Sequence, residues 1–267
     1  VRVVAAARRH SLGLRSDGTV AAAGSNTSGE CRVAEWTGVT AIAAGNVHTA
    51  SNTGRSHSVA LRADGTVLAT GWNGDGQCDV GGWRGMTAVA AGWRRTLGLA
   101  SDGTVLAAGR RSEGACEVGD WRDIVSLACG DWHSAGVRAD GTVVAVGNGR
   151  RGQCAVDTWR DVRAVAAGHL HTVGLTGSGR VLATGDGGEV GGWRDIVAVA
   201  AGSCHTVGVT ADGRVVAAGG NDAGQCEVGA WRGIVAVAAG SAHTLGVRAD
   251  GSVVATGANE HGQCDLS

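Results

Sequence analysis

Nine histidines and eight cysteines give this chain the means for metal binding or nucleophilic chemistry, so their spacing comes first. Cys31, Cys78, Cys116, Cys154, Cys226 and Cys264 share one slot of a recurring pattern, usually after Gly-Gln. His10, His133, His171, His205 and His243, with His48 or His57, share another. Neither series reads as a reactive centre. Equivalent residues of neighbouring units should lie on the order of 10 Å or more apart, beyond disulfide reach. No local C-x-x-C pair marks a zinc site. The cysteines read as small buried hydrophobes and the histidines as hydrogen-bonded structural residues. Off-pattern are Cys129, Cys204, His169 and His261, of which Cys204 is a candidate reactive thiol. No Ser-His-Asp order, paired carboxylates or phosphate loop remains, so no catalytic residue, metal or cofactor is expected.

The pattern that carries these residues is a repeat. Asp-Gly recurs at Asp17-Gly18, Asp64-Gly65, Asp102-Gly103, Asp140-Gly141, Asp212-Gly213 and Asp250-Gly251, with Ser178-Gly179 in the remaining slot. Successive turn glycines are 47, 38, 38, 38, 34 and 38 residues apart, which defines a 38-residue unit. The second unit gains nine residues, "TASNTGRSH" (Thr49 to His57), and the fifth loses four. Self-similarity of this period marks a repeat architecture.

Composition narrows the class. The 267 residues are 43% hydrophobic with net charge −1, and all 23 basic residues are arginine. Without lysine or net positive charge the chain does not read as a nucleic-acid binder. No apolar run reaches membrane-spanning length. With 48 glycines, helix is disfavoured. Absent Lys, Phe and Tyr suit a GC-rich bacterial genome, and absent Pro suits the copying of one proline-free unit. The only methionine is Met86, so we expect a trimmed chain. Unpaired cysteines favour a reducing, cytoplasmic compartment.

Each unit parses into four short strands, exemplified by Val197–Ala201, His171–Leu175, Thr142–Gly147 and Cys226–Val228. Asp-Gly should supply the positive-φ residues of the tight turn before the third. The expected fold is all-β: one closed seven-bladed β-propeller of four-stranded blades, forming a single domain. The blades would fall near 1–38, 39–85, 86–123, 124–161, 162–195, 196–233 and 234–267. Val1 aligns with Val39, so no strand is shared between the ends, and side-chain packing should close the ring.

The string G-x-x-H-T-x-x-L-x-x-D-G-x-V-x-x-x-G-x-N-x-x-G-Q resembles the regulator-of-chromosome-condensation repeat, in the form common in bacterial proteins. The resemblance covers all seven units. It implies the propeller fold but no single function, since the superfamily includes a nuclear exchange factor, a plant ultraviolet-B photoreceptor and β-lactamase-inhibitory propellers. The inhibitory propellers are similar in placing aromatics between Gly and His. "GWRRT" (Gly92 to Thr96) is similar to the photoreceptor's G-W-R-H-T, although Trp132 and Trp72 fall at other positions, so that receptor's tryptophan cluster is not reproduced.

Within a repeat, a residue present in most units serves the blade, and one that breaks the pattern is a functional candidate. Trp36, Trp83, Trp121, Trp159, Trp193 and Trp231 occupy one slot and read as inter-blade packing. Trp72, Trp93 and Trp132 stand outside it. They fall in two loop series, between first and second strands and after the third, that emerge on one face of an up-and-down blade. That face is asymmetric. Units one to four bring Arg8, Arg9, Arg94, Arg95, Arg110, Arg111, Arg150 and Arg151, with Asp131 beside Trp132. The first series also includes Asn46 and Val47, and the later units offer Asp186, Asp222 and Glu260. Trp and Arg are the side chains most enriched at binding hot spots. The expected function is therefore non-catalytic binding of a protein with an acidic surface through these twelve residues. One alternative is a self-associating scaffold or photoreceptor-like homodimer through the same face. Another is a metal-assisted enzyme using His169 and His261.

Overall fold

A computed structural model describes residues 1–45 and 55–266. Asn46, Val47, His48 and most of the insertion Thr49–His57 lie outside the described residues. The rest forms seven separate antiparallel sheets, each a three-stranded meander in chain order. Among the described residues no helix is long and apolar enough to cross a membrane. The third sheet comprises Met86–Gly92, Arg95–Ala100 and Val105–Gly109, and the fourth Ile124–Cys129, His133–Arg138 and Val143–Gly147.

The expected fourth strand is not one. Cys226–Val228 and its equivalents join no ladder; their main-chain groups are used locally. Cys226 N–H donates to Asn221 Oδ1 (2.8 Å), Val228 N–H to Cys226 O (2.8 Å) and Trp231 N–H to Val228 O (2.9 Å). This coiled segment carries the repeated tryptophan onto the next sheet. The Trp121 ring lies over Gly136 and the Trp159 ring over Gly174, where a Cβ would fall within 2.7–2.8 Å of the ring. Such positions tolerate only glycine, because an added methyl would displace the indole. The arginine after the tryptophan locks the turn: Arg122 Nη1 donates to Gly119 O (2.7 Å) and Trp121 O (2.8 Å).

In the Asp-Gly hairpins only the glycine is left-handed, with Gly18 at φ +79° and Gly103 at +79°. The aspartate stays right of that region and works through its side chain. Asp102 Oδ1 accepts from Thr104 N–H (2.9 Å) and Thr104 Oγ1 (2.6 Å).

The histidine slot forms a belt that crosses every seam between sheets. His10 reaches Ser58, His57 reaches Thr96, His133 reaches Thr172, His171 reaches Thr206, His205 reaches Thr244 and His243 reaches Ser11, all at 2.7–3.3 Å. The hydroxyls of Thr96, Thr172 and Thr244 already donate to the carbonyls of Gln77, Gln153 and Gln225. Each therefore has only lone pairs left, and imidazole Nε2–H must be the donor. Burial holds these rings neutral, pulling His10 and His133 down to about 3 and His57, His171, His205 and His243 to about 4. The glycine three residues before a belt histidine has a physical cause as well. A Cβ on Gly130, Gly168, Gly202 or Gly240 would strike the ring of His133, His171, His205 or His243.

The belt and the core both bridge the first and seventh sheets. Val4 and Ala6 share a cluster with Ala238, Leu245 and Val247, and Leu266 packs over Gly13. Among the described residues no strand is shared across this seam, as expected from the phase of the repeat.

Candidate binding face

The loop between the first two strands of the third sheet is only Trp93-Arg94, because Gly92 pairs directly with Arg95. Arg94 pays for that tightness with a left-handed backbone, φ +60°, at a cost of about 1–2 kcal/mol. Its side chain compensates. The guanidinium carbon lies 4.7 Å from the ring centroids of both Trp72 and Trp93, so the cation is stacked against two indoles. Contacts of this kind contribute about 0.5–2 kcal/mol each. Nη1 also meets Asp75 Oδ2 at 3.4 Å.

The stack extends both ways. Arg55 lies 5.2 Å from Trp72, and Arg110 lies 4.8 Å from Trp93. Arg110 is itself oriented by Glu113 (2.6 Å) and Ser112 (2.8 Å). Trp93 meets Trp132 edge-on, with centroids 4.4 Å apart and planes at 63°. Trp132 in turn lies 6.4 Å from His169, whose Nδ1 is 2.9 Å from Asp131 Oδ2. The three off-pattern tryptophans thus belong to one half-exposed chain of rings over sheets two to four. Arg111, Arg150 and Arg151 are exposed around it. Arg150 and Trp132 line a cleft with Ser112, Glu113, Asn148 and Gly149.

Four expected contact residues are placed differently. Arg95 occupies the histidine slot and is 1% exposed, so it cannot reach a partner. Its guanidinium crosses the seam and donates to Gly130 O and His133 O (both 2.5 Å), Asp131 O (3.0 Å) and Ser134 Oγ (3.2 Å). It takes the place of a belt histidine and holds the loop that carries Trp132. Asp131 is 2% exposed, turned inward to His169 rather than outward. Arg8 and Arg9 lie away from the tryptophans, in a cleft with Glu260 and His261.

Of the side chains that fix the stack, Asp75 acts on Arg94 of the next unit, which comparison of repeats does not reveal, whereas Arg55 and Glu113 act within their own units on Trp72 and Arg110. The cysteines also work differently from small core hydrophobes. Cys116 Sγ donates to Arg110 O (3.0 Å) and Cys264 Sγ to Ala258 O (3.4 Å), stapling the loops. Burial, with Asp79 adding to it, pushes the Cys78 thiol up to about 12. Cys204 is exposed, but partial burial and then Asp131, Asp186 and Asp222 raise its pKa, which disfavours the thiolate a nucleophile needs. Among the described residues no group of three His, Cys, Asp or Glu side chains is placed to hold a metal ion.

A model of the regulator of chromosome condensation (RCC1) repeat matches residues 52–77, 124–153, 162–189, 196–225 and 234–263, more than half of the chain. No curated protein matches the sequence. Among solved structures, the chain is similar to the CRINKLY ectodomain of the Arabidopsis thaliana receptor kinase ACR4, with TM-score 0.73 and 20% identity over 95% of this chain and 96% of that one. It is similar to human WBSCR16, with TM-score 0.73 and 19% identity over 91% and 85%. It is also similar to yeast RCC1 (Prp20), solved bound to Kap60, with TM-score 0.62 and 20% identity over 78% and 69%. These likenesses are of fold. With its repeats matched and its seven sheets in place, the chain belongs to the RCC1 repeat family.

Proposed function

We propose that the chain is a non-catalytic, protein-binding propeller, a single domain whose Trp/Arg face over sheets two to four engages an acidic protein surface. The observation that supports this most is the Trp72–Arg94–Trp93–Trp132 stack, ordered by its own ion pairs and ringed by exposed Arg111, Arg150 and Arg151. Arg94 and Arg110 are engaged with Asp75 and Glu113, so they orient the indoles. The exposed arginines attract the partner, and the tryptophans supply contact area. Structures of yeast Prp20 name Kap60, Gsp1p and histones as what that protein binds. This makes protein binding the reading most compatible with the fold.

Affinity capture with the wild type and with Trp93→Asp, Trp132→Asp tests it. Specific partners with acidic surfaces should be retained by the wild type only and released by salt. A second reading, a homodimer, draws on exposed Asp186, Asp222 and Glu260 in sheets five to seven, complementary to the arginine arc. Sedimentation at low and high salt separates the two, since a monomer under both conditions excludes the dimer.

A further inference from the structure

At the seam between the first and seventh sheets, Arg8 and Arg9 line a cleft of about 110 Å³ with Ser241, Glu260, His261 and Gln263. Two of their N–H groups, Arg8 Nη1 and Arg9 Nε, are buried without a hydrogen-bond acceptor. Glu260 is exposed at the rim and forms no ion pair with either arginine within 4 Å among the described residues. Burial and the charge of Arg9 both disfavour the Arg8 cation, while Glu260 favours it. The two guanidiniums stand side by side along one cleft with no ion pair to either among the described residues, so the cleft carries an uncompensated positive charge that suits an anion.

We propose that this cleft binds one small free oxoanion of the phosphate type, held by Arg8 and Arg9. Guanidinium N–H pairs match the spacing of oxoanion oxygens. The cleft has room for a five-atom oxoanion. Ser241 and Gln263 come from the seventh sheet's loops and the arginines from the first, so the anion touches both sides of the seam. It therefore binds the closed ring and stabilises it by mass action. The site is independent of the Trp/Arg face.

Calorimetric titration with inorganic phosphate, at constant ionic strength in chloride and pH 7.5, tests the assignment. One saturable site is expected, together with a thermal midpoint that rises with phosphate and not with chloride. Arg8→Gln should weaken binding about tenfold or more, the loss of a charge-assisted hydrogen bond. Glu260→Gln, an exposed change that leaves both arginines in place, should tighten binding about threefold by removing repulsion. Trp93→Asp, Trp132→Asp should leave it unchanged. No saturable binding and no midpoint shift would mean a water-filled cleft and overturn the proposal. So would wild-type affinity in both Arg8→Gln and Glu260→Gln.

Discussion

The belt beneath the loops and the face above it are built from the same residue types and behave as opposites. In the belt, a side chain repeated at each seam makes one bond to the next sheet, and Arg95 substitutes for histidine in that task. On the face, Arg94, its neighbour in sequence, stacks between two indoles with part of its surface in water. One residue of register separates a buried strut from a surface cation. Tryptophan divides in the same way: Trp121 and Trp159 are buried over glycines, whereas Trp93 and Trp132 pack on each other at the surface. What the side chain does follows from its slot, not from its type.

The largest effect should come from breaking the belt where it is exceptional. Arg95→Met should cost about 2–5 kcal/mol in urea unfolding, because it removes the guanidinium donor from the carbonyls of Gly130 and Asp131 and one of the two donors from His133 O. Arg95→His, which restores the repeat, should cost less, and equal losses would show that the extra bonds contribute nothing. Gly136→Ala should follow, at about 1–3 kcal/mol, since its methyl would press on the Trp121 ring. By contrast, Arg111→Ala on the face should stay within about 0.5 kcal/mol of wild type.

Acid should separate the two regions without mutation. Six belt histidines titrate near 3 to 4 in the folded chain, below the ~6.5 of a free imidazole. Between those values the unfolded chain binds more protons. Stability is therefore complete above about pH 6.5 and declines as pH falls toward 4. Denaturation midpoints measured from pH 7.5 to 4 should show this slope, and a flat profile would mean the rings are not held neutral. A small net stability change is expected for Arg94→Gly, which relieves the left-handed backbone while losing both ring contacts. Its unfolding midpoint should move little while tryptophan fluorescence shifts to the red, and an unshifted spectrum would count against the stack.

Much of this architecture was legible because repetition is an internal control. The turn glycines, the tryptophan slot and the structural reading of the histidines all followed from comparing copies. The fourth strand misled because Cys226–Val228 has strand-like residues but spends its main-chain groups on local turns. Arg95 misled for a deeper reason: a departure from the pattern can be compensated in the interior as well as used at the surface. A signal existed in unit three, which also replaces the usual glutamine by Ala115. Ser134 accepts from Arg95 Nε while keeping the bond to the Ala115 main-chain carbonyl that equivalent hydroxyls make in other units. The Asp131–His169 contact joins residues 38 apart in sequence and depends on side-chain direction, which periodicity does not encode.

The central claim, that the tryptophan–arginine face is a contact surface on a ring whose stability lies elsewhere, is tested most directly by one paired titration. A captured acidic partner is titrated into wild type and Trp93→Asp, Trp132→Asp, with urea unfolding of both proteins in parallel. The account predicts that binding is lost while the unfolding midpoint stays close to wild type. Undiminished affinity in the double variant would contradict it.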